Sequence, residues 1–410
     1  MRSTRLTALI IAGMLLGIVT GFICFHYFPQ SSSGFANTMA LLPTIFLRLI
    51  KMIIAPLVFA TLVGGIARMS DVSTIGRVGA KAIGWFISAS LLSLSLGLIL
   101  VNIFQPGKKL QLELPSANAH SEIAIGDFTL AHFIEHTIPA SVVDAMARNE
   151  ILQIVVFSLF FGSAMAALGQ RNKPLLEVID LLGHVMLKVT SYVMLFAPFA
   201  VFGALVSTVA HQGLGIIGTY GVFMGEFYLS MLILWMLLII AGGVVIGPKI
   251  LLLMRRMREV LLLAFSTASS EAAYPKTLEQ LERFGCSNKI ASFILPLGYS
   301  FNLDGSMLYC TFAVMFIAQA YGIELSASQQ IAMLITLMLT SKGIAGVPRA
   351  SLVVIAATLS QFNIPEAGLL LLLGIDHFLD MGRSATNVVG NSVATAVVSK
   401  WEGELAIAES

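Results

Sequence analysis

A polar stripe near the C-terminal end interrupts an otherwise apolar sequence. Between residues 376 and 391, steps of four, three, four and four separate Asp376, Asp380, Arg383, Asn387 and Asn391. On an α-helix of about 3.6 residues per turn, this spacing puts all five side chains on one face. A charge at bilayer depth costs roughly 2.5 to 3.5 kcal/mol on insertion scales. The stripe therefore requires partners, water or a bound substrate.

The composition around the stripe is that of a polytopic membrane protein. Charged residues make up 11% of the chain, against about 25% in soluble domains, and the mean hydropathy is +0.90. Membrane spans are predicted at 6–27, 38–67, 82–104, 148–169, 177–210 and 216–247. Basic residues cluster in alternate loops, which predicts a cytoplasmic N-terminus. The net charge of +2 gives no argument for nucleic acid as a partner.

Three smaller features are assigned no chemistry. Gly13, Gly17 and Gly21 repeat at four-residue spacing, which allows a neighbouring helix backbone to come close. The three cysteines lack metal-ligand spacing. His132 and His136 have the spacing of an inverted zinc-protease motif, but no third ligand is near, so an interfacial amphipathic helix is favoured over a zinc site.

From about residue 256, two successive units share one plan. Each has a half-length apolar piece, a small polar tip, another half-length piece and then a full span interrupted midway. The first tip is 266–271 and its span is interrupted at 302–306; the second tip is 340–348 and its span carries the stripe. Broken spans are the best sequence pointer to a transport site, and the tips are predicted to be re-entrant hairpins. Two coincidentally polar loops between ordinary helices are the alternative.

These motifs, together with the 48–56 segment Arg-Leu-Ile-Lys-Met-Ile-Ile-Ala-Pro, resemble the glutamate transporter family, the dicarboxylate/amino acid:cation symporters. The likeness covers essentially the whole chain and looks closest to bacterial proton/glutamate symport proteins. It implies an all-α polytopic membrane protein with eight transmembrane helices, two re-entrant helical hairpins and inverted repeats. It also implies a homotrimer that works as an elevator.

The resemblance also divides the chain into two working parts. A scaffold would comprise 1–81, with helices 1 and 2, and 105–210, with an outer loop and helices 4 and 5. A transport domain would comprise helix 3 at 82–104 and a core at 211–410, with helix 6, hairpin 1, helix 7, hairpin 2 and helix 8.

The resemblance implies a set of substrate-binding residues. Arg383 matches the arginine that holds the substrate's side-chain carboxylate, and a guanidinium suits that task because it makes two parallel bonds. Asp380 matches the aspartate that takes the amino group. The other positions expected around the substrate are Ser269, Ser270, Ser306, Ser384, Asn387 and the second tip with Gly346, Val347 and Pro348. An intrahelical ion pair of Arg383 with Asp380 or Asp376, serving packing alone, is the alternative.

Asp380 favours an acidic amino acid, because C4-dicarboxylates have no amine for it to bind. Arg383 argues against neutral amino acids, which would leave a buried guanidinium unpaired. The predicted substrates are therefore L-glutamate and L-aspartate. A C4-dicarboxylate symporter of the same family is the alternative.

Cation coupling departs from the sodium-driven pattern at two positions. Asn391 stands where sodium-coupled members have an aspartate ligand, and Ala89, beside Ser90, stands where they have a hydroxyl ligand. Residual sodium ligands remain at Asn302 and Asp304, with further coupling positions at Gly298, Ser300 and Ser341.

Proton coupling is predicted, with Glu271 as the leading protonatable group, Asp304 and Asp376 as rivals, and sodium coupling as the alternative. Burial of Glu271 would favour its protonated form, whereas a hairpin cap is an equally weighted interpretation. Lys342 and Arg349 flank the second tip, where Arg349 is expected to face solvent.

Two other function classes fit less well. An intramembrane enzyme would need paired acids or a Ser-His dyad, and a channel would need no arginine opposed by an aspartate. No enzyme activity and no cofactor are expected. The predicted location is the bacterial inner membrane, with both termini cytoplasmic and membrane lipids as surroundings.

Overall fold

The computed structural model is helical throughout the residues it describes, which are 3–67, 72–109, 137–213, 215–341, 350–373 and 375–407. The α-helices are α1 (Ser3–Tyr27), α2 (Pro29–Met39), α3 (Leu41–Ala67), α4 (Val72–Phe104), α5 (Pro106–Lys109), α6 (Val142–Arg148), α7 (Ile151–Ala167), α8 (Lys173–Val193), α9 (Ala197–Gln212), α10 (Gly215–Ile246), α11 (Ile250–Thr267), α12 (Tyr274–Phe284), α13 (Asn288–Phe301), α14 (Asp304–Ala320), α15 (Ala327–Thr340), α16 (Ala350–Gln361), α17 (Leu369–Leu373) and α18 (Asp376–Trp401). Short 3₁₀ turns lie at Gly169–Asn172, Met194–Phe196, Glu271–Ala273 and Glu366–Gly368.

Six helical segments of the described chain are long and apolar enough to cross a membrane. They are Ala8–Tyr27, Pro29–Ala67, Gly76–Lys109, Lys173–His211, Tyr220–Ile246 and Asn288–Ala320. The predicted span at 148–169 corresponds to the shorter α7, and the one at 177–210 to α8 and α9 with a 3₁₀ turn between them. The chain is therefore a multi-pass membrane protein, and the count of eight spans stays a prediction.

The two predicted units are present as half-length helix pairs. In the first, α11 and α12 contact each other and flank the tip. Ala268 ends α11 in the left-handed conformation and Gly285, with φ of 117°, ends α12. In the second unit α15 and α16 have the same role, and most of the tip lies outside the described residues.

The predicted midway interruption of the full spans is right for one unit and wrong for the other. In the first unit, α13 ends at Phe301 and α14 begins at Asp304, as expected. In the second, α18 runs unbroken through the polar stripe, and the break precedes it, between α17 and α18. A continuous helix follows from the stripe itself, because its side chains share one face only if the helical repeat is maintained.

The glycine repeat in α1 works as predicted. α1 packs along α9, and a Cβ added at Gly17 would lie 2.8 Å from the carbonyl oxygen of Phe202. Gly13 and Gly21 face Pro198 and Val209 of the same helix at similarly short range. The three small positions thus set the α1–α9 separation.

Ion pairs join the segment that follows α18 to α4. Glu402 accepts hydrogen bonds from Arg77 at 3.0 Å and Lys81 at 2.6 Å. Burial acts to raise the pKa of Glu402, but these two cations outweigh it and hold the pKa below its ordinary value. Glu402 therefore stays ionised near neutral pH.

We expect Gly17→Ala to destabilise the protein, because the added methyl group must push α1 away from the Phe202 carbonyl. Overpacking of this kind costs about 1 to 3 kcal/mol. Gly84→Ala in α4 is the matched control, since a Cβ there meets nothing within 4 Å and alanine is the better helix former. Thermal unfolding in detergent checks both variants. Equal melting temperatures for the two would contradict the close α1–α9 contact.

Candidate functional site

The polar stripe is buried along α18, as its spacing predicts. Asp376, Arg383, Asn387 and Asn391 are each at most 4% exposed, whereas the Asp380 side chain is 40% exposed. α18 is surrounded by α10, α11, α13 and α14, so the stripe faces other helices along most of its length. Asp380 is the member of the stripe that can reach an incoming ligand from solvent.

Arg383 is the centre of the site. Its Nη2 lies 3.2 Å from Oδ1 of Asp376 and 3.0 Å from Oδ1 of Asp380. The guanidinium carbon lies 4.1 Å from the centroid of the Tyr309 ring, and the Tyr309 hydroxyl donates to Asp376 at 3.0 Å. The guanidinium is therefore held by two carboxylates and one aromatic face.

The predicted ion pairs within α18 are thus present, but they do not use all of Arg383. The Nε and Nη1 groups are buried and have no hydrogen-bond partner. A buried donor without a partner costs about 1 to 3 kcal/mol, and more when it is charged. The unused Nε and Nη1 donors lie on the two different edges of the guanidinium, each beside Nη2, and either can donate a charge-assisted bond to a carboxylate oxygen.

Asn387 joins the stripe to the break between α13 and α14. Its Oδ1 accepts from the backbone N–H of Gly305 at 2.9 Å and of Ser306 at 3.4 Å, and its Nδ2 lies 3.4 Å from Ser306 Oγ. Ser384, next to Arg383, is 4% exposed. The structure therefore brings together three of the predicted substrate positions, Ser306, Ser384 and Asn387, with Asp380 and Arg383 on one helix and its immediate neighbour.

A second polar cluster lies one turn further along α18. Asn302 Nδ2 donates to Asp304 Oδ2 at 3.1 Å and to Asn391 Oδ1 at 3.2 Å, and Ser93 donates to Asp304 Oδ1 at 3.2 Å. Asp304 is fully buried. These residues form a compact oxygen-rich cluster that contains one carboxylate.

The cluster still has unused polar atoms. Asn302 Oδ1, Asn391 Nδ2 and Ser300 Oγ are buried without hydrogen-bond partners. Gly298 packs directly against the Asn391 side chain, and Ser90 is fully buried. One carboxylate with neighbouring amide and hydroxyl oxygens can hold a proton or one monovalent cation. Within the described residues there is no group of three or more His, Cys, Asp or Glu that fits a metal site.

The first hairpin tip lies on another side of the site. Ser269 accepts from the backbone N–H of Ala272 at 3.1 Å, and Ser270 is 8% exposed. Neither forms a hydrogen bond with α18 within the described part of the chain. Phe265 of α11 lines the same cleft as Gly382 of α18.

Glu271 lines a cavity to which no residue of α18 contributes. It lines this small cavity with Ile54 and Val58 of α3 and Ile151 of α7, and this cavity has no room for a water molecule. The charges of Lys51 and Glu150 act on it. Ser341 bonds within its own helix end, to the Met338 carbonyl at 3.2 Å.

Several predicted positions lie outside the described residues: Lys342, Arg349, the second tip at 346–348 and the His132–His136 motif. Two side chains that contact the site were not predicted from the sequence, namely Tyr309 and Ser93. Ser93 follows Ser90 by three positions in α4, so helical spacing from a suspected ligand position was the available signal.

Replacing Asp376 or Asp380 by asparagine should distinguish a carboxylate that holds Arg383 in place from one that contacts the ligand. We expect Asp376→Asn to lower thermal stability strongly, because breaking a buried ion pair costs about 3 to 5 kcal/mol. Asp380→Asn should lower it by at most about 1 kcal/mol, since this carboxylate is partly exposed. Differential scanning fluorimetry without ligand checks the order. If Asp380→Asn is the more damaging change, the assignment of Asp376 as the anchor is wrong.

The chain matches the model of the Sodium:dicarboxylate symporter family over residues 6–401. It is 40% identical to the C4-dicarboxylate transport protein of Geobacter sp. (strain M21), covering 96% of this chain and 90% of that protein. It is 37% identical to the C4-dicarboxylate transport protein of Bacillus subtilis (strain 168), covering 99% and 96%. It is also 40% identical to the proton/sodium-glutamate symport protein of Geobacillus stearothermophilus, covering 98% and 96%. The chain therefore belongs to the Sodium:dicarboxylate symporter family.

Proposed function

We propose that this symporter imports L-glutamate and L-aspartate, coupled to protons. The observation that carries the proposal is the arrangement around Arg383, with two unused guanidinium donors beside the partly exposed Asp380 carboxylate. The side-chain carboxylate of an acidic amino acid can accept from the Arg383 donors, and its ammonium group can pair with the Asp380 carboxylate.

The guanidinium supplies most of the selection for an acidic side chain. With Nε and Nη1 unused, a bound carboxylate can accept a charge-assisted bond from either of them. A neutral amino acid would leave these donors unpaired in a buried site, which costs several kcal/mol. The backbone carboxylate of the substrate would then lie toward Asn387 and Ser306, with Ser384 and the two hairpin tips completing the site.

Asp380 supplies the distinction between amino acids and dicarboxylates. Its carboxylate would take the substrate ammonium in place of part of its ion pair with Arg383. A C4-dicarboxylate presents no cation to Asp380 and brings a second negative charge near it. Acidic amino acids therefore match the charges of the site better.

C4-dicarboxylate import is the second candidate. Relatives that are 37% and 40% identical are named C4-dicarboxylate transport proteins. In that case Asp380 would keep its 3.0 Å ion pair with Arg383 and would not contact the substrate. The two candidates thus differ in what Asp380 does.

Proton coupling is proposed because the cluster around Asp304 contains one carboxylate and an asparagine at 391. Glu271 is the leading proton carrier, since it lines a cavity too small for water and therefore too small for a hydrated ion. Sodium at Asn302 and Asp304 is the alternative, and a glutamate carrier that is 40% identical is named a proton/sodium symport protein.

We also propose a homotrimer in the inner membrane, with both termini cytoplasmic, that moves its substrate by an elevator mechanism. In support of two working parts, α3 packs with α7, α8 and α9, whereas α18 packs with α10, α11, α13 and α14. α3 also packs with α13, where the two proposed parts would meet. Glu271 would lie between the two parts, beside α3.

Uptake of labelled L-glutamate and L-aspartate into sodium-free proteoliposomes under an inward proton gradient tests the function. We expect accumulation that Arg383→Ala abolishes, because the variant loses the carboxylate partner. Arg283→Ala is the matched control: this exposed arginine pairs with Glu279 on the surface, and its loss should leave uptake within about two-fold.

Asp380→Asn in the same assay decides between the candidate substrates. It should lower aspartate uptake by about ten-fold or more, since a charged hydrogen bond is worth roughly 1.5 to 3 kcal/mol. Competition by succinate should stay unchanged or strengthen. Equal losses for both compounds would refute the role of Asp380, and uptake of succinate alone by the unmodified protein would establish the second candidate.

The proton carrier is tested separately. We expect Glu271→Gln to abolish accumulation driven by pH alone while leaving exchange of internal for external substrate, because exchange needs no net proton movement. Glu279→Gln, on the next helix and paired with Lys276 and Arg283, is the control and should accumulate normally. Accumulation by Glu271→Gln under a pH gradient would remove Glu271 from the mechanism.

A further inference from the structure

An apolar cleft lies behind the polar stripe, on the opposite side of α18 from Arg383's carboxylate partners. It has a volume of about 390 Å³, within the range of roughly 300 to 1,000 Å³ typical of small-molecule sites. α10 and α11 each line it with four residues at i, i+3, i+4 and i+7 spacing, from Tyr228 to Trp235 and from Arg258 to Phe265. The third wall is the stretch of α18 from Gly382 to Thr386.

The two ends of the cleft differ in chemistry. At one end the rings of Tyr228 and Phe265 lie 6.4 Å apart. Because Phe265 is at the C-terminal end of its stripe and Tyr228 at the N-terminal end of its own, α10 and α11 run in opposite directions there. Arg258 consequently lies at the Trp235 end, two helical turns from Phe265.

The polar groups of the walls are already satisfied. Trp235 Nε1 donates to Thr386 Oγ1 at 2.8 Å, Thr386 donates to the Gly382 carbonyl at 2.9 Å, and the Tyr228 hydroxyl donates to the Phe378 carbonyl at 2.5 Å. An occupant therefore meets apolar surface along the cleft and a single charged lining residue, Arg258, at its end. This pattern fits a long apolar body with an anionic head group.

The cleft opens toward the surrounding lipid. Leu232, one of its lining residues, is 56% exposed, and its neighbours Leu229 and Met236 on α10 are 48% and 56% exposed. Arg258 belongs to the basic run at 249–258, which the distribution of positive charge assigns to the cytoplasmic side. Anionic lipids of that leaflet attract basic residues, and tryptophan is enriched at the same depth.

We propose that this cleft is a binding site for an anionic phospholipid, with an acyl chain between α10, α11 and α18 and the head group on Arg258. The site is distinct from the substrate site and does not depend on which acid the protein carries. Its wall at Gly382 and Thr386 flanks Arg383 in α18, so a bound lipid backs the helix turn that holds the substrate arginine.

Fluorescence quenching of Trp235 by brominated lipids tests the site. The other two tryptophans, Trp85 and Trp401, contact each other elsewhere, with ring centroids 5.9 Å apart, and are replaced by phenylalanine to leave Trp235 as the sole reporter. The protein is placed in vesicles in which a fixed fraction of either phosphatidylglycerol or phosphatidylcholine carries brominated chains. The ratio of the two quenching efficiencies gives the preference for the anionic head group.

We expect brominated phosphatidylglycerol to bind about five-fold better, since a basic residue near an anionic surface contributes roughly 1 kcal/mol. Arg258→Gln should reduce the ratio to about one, and Arg258→Lys should retain most of it. Arg255→Gln is the matched control, because Arg255 belongs to the same basic run but does not line the cleft. High salt should lower the ratio in the unsubstituted protein, which tests the charge even if Arg258→Gln does not fold.

Three results would overturn the proposal. Equal quenching by both lipids would mean that the cleft holds acyl chains without head-group recognition. A preference that Arg258→Gln leaves unchanged would place the anionic contact elsewhere. Absence of quenching by either lipid would mean that lipid does not enter, as when a second copy of the chain covers the cleft.

Discussion

Burial of the Arg383 guanidinium is the constraint on which the rest of the site depends. A charge at this depth is tolerated only with partners, and one helix cannot supply enough of them. Asp376 and Asp380 come from α18 itself, but the Tyr309 ring and hydroxyl come from α14. α14 must therefore run close beside α18, and it begins directly after the break at 302–303.

The close approach is made possible by glycines at the contacts. Gly305 packs against the Arg383 backbone, Gly298 against the Asn391 side chain and Gly390 against the Asp304 carboxylate. A side chain at any of these positions would separate the broken span from α18. The break also frees backbone N–H groups, and Asn387 accepts from two of them. The break thus leaves two backbone N–H groups free at membrane depth, and a side chain of the neighbouring α18 accepts hydrogen bonds from them.

Spacing along the sequence predicted features within a single helix, but it did not predict contacts between side chains of different helices. The stripe on α18, the half-length pairs and the break at 302–303 all follow from spacing within one segment. Tyr309 and Ser93 could not be found this way, because their roles depend on the register of α14 and α4 against α18. The expected midway break in the span that carries the stripe was wrong for a related reason: the pattern located a polar segment but carried no information on where the chain bends. The packing of Glu271 against α3 and α7 is likewise a contact between helices that spacing along the sequence does not predict.

Charge balance links the substrate question to the coupling question. Asp304, Asp376 and Asp380 outnumber Arg383, so the buried site has a net negative charge before any substrate binds when all four are ionised. An acidic amino acid adds one further negative charge and a fully ionised dicarboxylate adds two. Each uncompensated charge is expensive at bilayer depth, so the loaded site requires cations, and a dicarboxylate requires one more than an amino acid does. The ammonium group makes this difference: it offsets one of the two carboxylates of an acidic amino acid, so that substrate adds one negative charge fewer beside Asp380 than a fully ionised dicarboxylate does.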